Sequence, residues 1–129
     1  MTAEEVKRDV AATFVKALGS KDWALLRGIL TDDVTWTLPG DNRISGTVAG
    51  PDGVAERVEL ISSYGVDFAL LHVLVSRDNV ALNLHNTATR GDLVLDEHLA
   101  TVFTLRGGQV ARIETFLSDV DGMDRFFAA

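Results

Sequence analysis

The sequence predicts an α+β fold, with helices gathered on one face of a curved antiparallel sheet, in the order ααββαββββ. Three observations carry this expectation. Apolar residues recur at helical spacing before Leu30 and again after Gly50. From Val66 to Leu117 the pattern changes to long runs rich in Val, Leu and Phe, broken at Arg77-Asp78-Asn79, Gly91-Asp92 and Arg106-Gly107-Gly108, which are hairpin-turn sequences. Between these regions lies Val34-Thr35-Trp36-Thr37-Leu38, an alternating stretch stopped by Pro39-Gly40.

Taken in order, Thr2-Ala3-Glu4-Glu5 has the spacing of a capping box, and Val6, Val10, Phe14 and Leu18 form one apolar helical stripe. Gly19 is expected to close that helix in the left-handed conformation. Ser20 is expected to cap a second helix over 21–30, with Trp23, Leu26 and Leu30 on one face. A strand over 34–38 puts Val34, Trp36 and Leu38 on one side and Thr35 and Thr37 on the other. A short polar strand over 44–48 comes next. Pro51 suits the first turn of a third helix, which buries Val54, Val58 and Ile61 and stops at Gly65. Four strands are expected over 66–76, 80–90, 93–105 and 110–117. The segment from Asp119 to Ala129, with Met123, Phe126 and Phe127, reads as a short helix or tail laid on apolar surface. No repeat, linker or low-complexity tract divides the 129 residues, so one domain is expected.

Composition narrows the function. The net charge is −7 and no Lys/Arg cluster exceeds Lys7-Arg8, so a polyanion would be repelled and nucleic-acid binding is not expected. No apolar run approaches the roughly 20 residues that span a bilayer. The start Met1-Thr2-Ala3-Glu4-Glu5 lacks the apolar region of a secretory leader. There is no Cys, hence no disulfide, thiolate nucleophile or thiolate metal site, which fits a cytoplasmic protein.

Several short motifs, in this order and spacing, resemble a known family. They are Asp32-Asp33-Val34-Thr35-Trp36 with Pro39-Gly40; Ser45-Gly46 ahead of Gly50-Pro51-Asp52-Gly53; Arg106-Gly107-Gly108-Gln109-Val110; and Phe116-Leu117 with Asp119, backed by Phe126-Phe127. Together they resemble the SnoaL-like branch of the nuclear-transport-factor-2-like superfamily, relatives of ketosteroid isomerases, limonene epoxide hydrolases and polyketide cyclases. The resemblance runs from Val6 to Phe127. It implies a cystatin-like cone, in which a mixed or antiparallel sheet wraps about three helices around an apolar cavity, and a homodimer formed through the sheet.

The resemblance also implies what is missing. Ketosteroid isomerases place a Tyr on the first helix, a proton-shuttling Asp at the end of the first strand and a protonated Asp on the penultimate strand. Those positions here hold Phe14, Leu38 and Thr101. Isomerisation by that mechanism is therefore not expected. Limonene epoxide hydrolases use an Asp–Arg–Asp arrangement, for which Arg90, Asp96 and Asp119 are only loose counterparts.

Strand alternation then sorts the remaining polar residues. If Thr101 faces inward as its family counterpart does, so do Leu93, Leu95, Glu97, Leu99 and Phe103, while Asp96 and His98 face outward. On the last strand Ala111, Ile113, Thr115 and Leu117 face inward, with Asp119 at the rim. The expected ligand contacts are Phe14, Trp36, Leu38, Thr101, Phe103 and Thr115, with Tyr64 at the cavity mouth. Glu97 and Asp119 are candidate proton-transfer groups, because desolvation raises a carboxylate's pKa toward the working range. Structural roles stay open for both: Glu97 paired with Arg90 or Arg112, and Asp119 as a helix cap. His72, in the otherwise apolar run Leu70-Leu71-His72-Val73-Leu74, is the third candidate, on a face that alternation does not fix. His85 and His98 read as structural. No His-x-His or His-Glu-x-x-His spacing is present, so no metal is expected, and neither a phosphate loop nor a redox-cofactor signature occurs, so no cofactor is expected.

The expectation is a protein that binds a small hydrophobic or polycyclic molecule. It is either a cofactor-independent isomerase, cyclase or epoxide hydrolase, or a non-catalytic ligand-binding or dimerisation module.

Overall fold

The computed structural model describes residues 1–129. It contains α1 (Ala3–Ser20), α2 (Trp23–Gly28), β1 (Leu30–Leu38), β2 (Gly46–Ala49), α3 (Gly50–Ser63), β3 (Asp67–Val75), β4 (Asn79–Arg90), β5 (Leu93–Arg106), β6 (Gln109–Leu117) and α4 (Val120–Phe126). The strands form one sheet in the order β2-β1-β6-β5-β4-β3. All pairings are antiparallel except β1 with β6, which is parallel, so the sheet is mixed.

The capping box at Thr2 and Glu5 forms as expected, and Val10 and Phe14 of the α1 stripe are buried. The helix ends later than Gly19 suggested. It runs through Ser20 and is closed by Lys21, the one non-glycine residue with a positive φ, at 54°. Ser20 turns back onto the Lys16 carbonyl instead of capping, and Asp22 caps α2 by accepting from the Leu25 N–H. An Asp at this position is as good an N-cap as Ser, and its choice leaves α2 only six residues long. Leu30 then begins β1 instead of ending a helix, paired with Val110 across a register shift. The second strand also begins later than expected: Ile44 sits in the preceding turn with its side chain in the core.

One face of the sheet is covered by the helices. α1 packs on β3 and β4, α3 on β1, and α4 on β5. Val34, Trp36 and Leu38 of β1, Val80, Leu82 and Leu84 of β4, and Leu95, Leu99 and Phe103 of β5 alternate into this core. The opposite face has no helix over it, and Leu74 and Phe116 stand there 60% and 54% exposed. Buried Arg57 fixes how α3 meets the sheet. Its guanidinium donates to the carbonyl oxygens of Trp36, Ser45 and Gly46 and lies 5.0 Å from the Trp36 ring centroid. Burial lowers its pKa from the ordinary arginine value. α4 is tied down by Asp124, whose Oδ1 accepts from the Asp41 N–H and the Asn42 amide. No helix is long and apolar enough to cross a membrane.

Candidate functional site

Between the helices and the covered face of the sheet lies a cavity of about 450 Å³. Its walls are mostly apolar: Phe14 and Leu18 from α1, Trp23 from α2, Trp36 and Leu38 from β1, Val58 and Ile61 from α3, Leu84 from β4, Leu95 and Leu99 from β5, and Met123 and Phe127 at the C-terminal end. A volume of this order matches small-molecule sites, where an apolar lining binds and a few fixed polar groups orient.

The polar groups gather on the sheet. The Trp36 indole Nε1–H donates to Thr115 Oγ1 at 3.0 Å, and the Thr115 and Thr101 hydroxyls are 3.2 Å apart. Trp36, Thr101 and Thr115 are all buried. This chain contains three donor hydrogens and two hydrogen bonds, so one hydroxyl hydrogen is left for a ligand. On β4, four residues along the strand from the Leu82 that pairs with Thr101, Asn86 also lines the cavity, and its amide oxygen is buried with no partner. Such a group is expensive to leave unpaired unless something enters the cavity to meet it. Lys21 and Asp67 are the only ionisable side chains in the lining, and both are exposed.

Of the expected ligand contacts, Phe14, Trp36, Leu38, Thr101 and Thr115 line the cavity and two do not. Phe103 is fully buried behind the wall, edge-on to Phe14 at 4.9 Å. Tyr64 packs against Phe127 at 4.8 Å, and its hydroxyl accepts from Arg43 at 2.6 Å.

None of the three proton-transfer candidates lies in the cavity. Glu97 does face inward, and is 1% exposed, but it does not line the cavity: it lies between the lining residues Leu95 and Leu99, opposite Asn86, where α4 packs on β5. Its Oε1 accepts from the Asp119 N–H at 2.7 Å and from Ser118 Oγ at 3.4 Å. Desolvation raises its pKa above the ordinary glutamate value, partly opposed by the Asp119 N–H bond. Neither Arg90 nor Arg112 pairs with it: Arg90 donates to the Phe126 carbonyl and Arg112 to Glu114. Asp119 points outward and caps α4, accepting from the Gly122 N–H at 2.9 Å. His72 is exposed on edge strand β3. A bulge between Leu70 and His72 shifts the alternation by one residue, so His72 pairs with Asn83 and shares its outward side.

Sequence reasoning missed Asn86, Asp67 and Arg57. For Asn86 the signal was present, because Val80, Leu82, Leu84 and Asn86 continue one alternating row. Arg57 likewise lies within the apolar stripe of Val54, Val58 and Ile61.

Solved structures share this fold. A search of curated protein sequences finds no match. Among solved structures, Bal32a from a soil-derived mobile gene cassette is 28% identical, with 95% of this chain and 97% of that chain covered and a TM-score of 0.89. An NTF2-like protein from Burkholderia xenovorans LB400 is 18% identical over 95% and 96% of the two chains, with a TM-score of 0.83. TerC, co-crystallised with polyporic acid, is 16% identical over 95% and 98%, with a TM-score of 0.81. Residues 11–113 match the family model described as the SnoaL-like domain, and the chain therefore belongs to the SnoaL-like family, within the nuclear-transport-factor-2-like fold.

Proposed function

We propose that this protein binds one small, largely apolar, uncharged molecule that carries a hydrogen-bond-accepting oxygen at one end and a hydrogen-bond donor at the other. The observation that carries the reading is the cavity itself: apolar on the helix side, with a spare hydroxyl hydrogen at Thr101 and Thr115 and an unpaired amide oxygen at Asn86 on the sheet side. A cyclic skeleton with a carbonyl oxygen at one end and a hydroxyl at the other meets both groups, which stand four residues, or about 13 Å, apart along the sheet. A charged ligand would leave its counter-charge outside, since the interior offers none. The similarity to TerC, which was crystallised with polyporic acid, supports a cyclic ligand.

A second reading, that the bound molecule also reacts, rests on Asp67. Its carboxylate is the only one lining the cavity, so cofactor-independent isomerisation, cyclisation or ring opening would draw its acid/base group from there. Binding and turnover separate by substitution. Asn86→Leu and Thr101→Val are each expected to weaken ligand binding about three- to tenfold, the net worth of one hydrogen bond. Asp67→Asn is expected to leave binding intact and to abolish turnover under the enzymatic reading. Calorimetry with hydroxylated polycyclic ketones measures the first effect. Affinities unchanged in both Asn86→Leu and Thr101→Val would refute the assignment of the polar wall.

A further inference from the structure

We propose that His85, Asp96 and His98 form a binding site for a divalent transition-metal ion, on the face of the sheet opposite the cavity. His85 and His98 are direct cross-strand partners on β4 and β5, and Asp96 precedes His98 by two positions, so all three side chains project from the same face. The imidazole rings are stacked with centroids 4.3 Å apart and planes within 3°. His85 Nε2 lies 2.6 Å from Asp96 Oδ1, and one donor atom from each residue falls within 4.8 Å of the others. No His-x-His spacing announces the site, because the pair is made across strands.

A simple His–Asp hydrogen bond accounts for His85 and Asp96 but leaves His98 without a role. Its imidazole makes no side-chain hydrogen bond and is held against His85 with its ring parallel. A cation shared by all three accounts for the convergence. It would displace the proton between His85 and Asp96 and draw the donor atoms to about 3.3 Å apart, given bonds of about 2.0–2.1 Å to zinc. Because an imidazole lone pair lies in its ring plane, the two parallel rings must also unstack and tilt toward each other, which exposed side chains can do by turning about χ1 and χ2. Two imidazoles and one carboxylate suit zinc, nickel, cobalt or copper over magnesium or calcium, which favour oxygen donors throughout. Within the single chain no further side chain fills the remaining positions on the ion, so the site is one for a bound ion with exchangeable ligands and not a closed structural centre.

The test is isothermal titration of the purified full chain with zinc chloride, nickel chloride and magnesium chloride, with imidazole proton NMR in parallel. Zinc or nickel is expected to bind at one ion per chain, and magnesium not to bind. His98→Ala and Asp96→Asn should each weaken binding by at least the roughly tenfold that results even from losing an outer partner of a metal ligand. His72→Ala, on the neighbouring strand, should change nothing. Paramagnetic nickel should broaden the His85 and His98 resonances most and that of His72, a diagonal neighbour across β4, less. All three substituted positions are exposed, so circular dichroism should show the wild-type fold. Absence of saturable zinc and nickel binding, equal binding of magnesium, or an unchanged titration in His98→Ala would overturn the proposal.

Discussion

Glu97 shows how a residue can satisfy a sequence rule and still fall outside the site. Alternation correctly put it on the inward face, together with Leu95, Leu99 and Thr101. Alternation gives the side of a strand, however, and not what covers each residue on that side. The position of Glu97 under α4 depends on where the chain turns after β6, a tertiary fact that no local pattern contains. Its burial nevertheless has a measurable consequence. Its folded-state pKa is raised by desolvation, so the folded form holds its proton to higher pH than the unfolded chain does. Its stabilising contribution is therefore complete below the unfolded glutamate pKa and is lost as pH rises through the raised folded value. Glu97→Gln keeps the acceptor for the Asp119 N–H and removes the charge. We expect it to be more stable than the wild type at neutral pH and equal to it in acid, a difference that denaturant midpoints across pH 4 to 8 would measure, with about pH 4.3 as the ordinary glutamate reference. Identical pH profiles for the two proteins would contradict this.

At the scale of elements, the hydrophobic periods were legible and the junctions were not. The stripe of α1, the Pro-led start of α3, the alternation of β1 and the hairpins of β3 to β6 arise from local pattern alone. The α1–α2 junction did not, because Gly19, Ser20, Lys21 and Asp22 all compete for capping positions and differ by a few tenths of a kcal/mol to about 1 kcal/mol. Asp22 takes the cap, and the short helix it starts carries Leu26 into the core. The His72 bulge is a similar case: it sits on an edge strand, where one extra residue is tolerated and reverses which residues face out. The turn after β1 shows the opposite, a glycine with a requirement. Gly40 has φ of +105°, and a Cβ there would run into Asp124 Oδ1, the atom that ties α4 to this turn. Gly40→Ala should lower stability by about 2 kcal/mol or more, combining left-handed strain with the loss of the Asp124 bonds. Thermal unfolding checks this, and a melting temperature equal to wild type would show that the turn yields without disturbing α4.

The whole molecule has two unlike faces of one sheet, one packed under helices around a cavity and one bare. On the bare face Leu74, Ala81 and Val102 lie in one cross-strand row and Ala100 and Phe116 in the next, leaving large apolar side chains in water. We propose that two copies of the chain associate through this face. Sedimentation velocity at micromolar concentration should find a species of twice the 14.0 kDa chain mass, reverting to the single mass in Phe116→Asp. A 14.0 kDa wild-type species would refute the dimer.

On the helix-covered face, Phe14, Leu38 and Thr101 line the cavity, the three residues that the resemblance set against the catalytic positions of ketosteroid isomerases. Leu84 lines that cavity from β4, and a Trp in its place would occupy the space a ligand needs. Native mass spectrometry of the wild type and Leu84→Trp, after incubation with hydroxylated polycyclic ketones and phenols, tests ligand binding in the cavity most directly. One bound molecule per wild-type chain, absent from Leu84→Trp, is the expected result. No adduct on the wild type from any member of the set, or an undiminished adduct on Leu84→Trp, would contradict it.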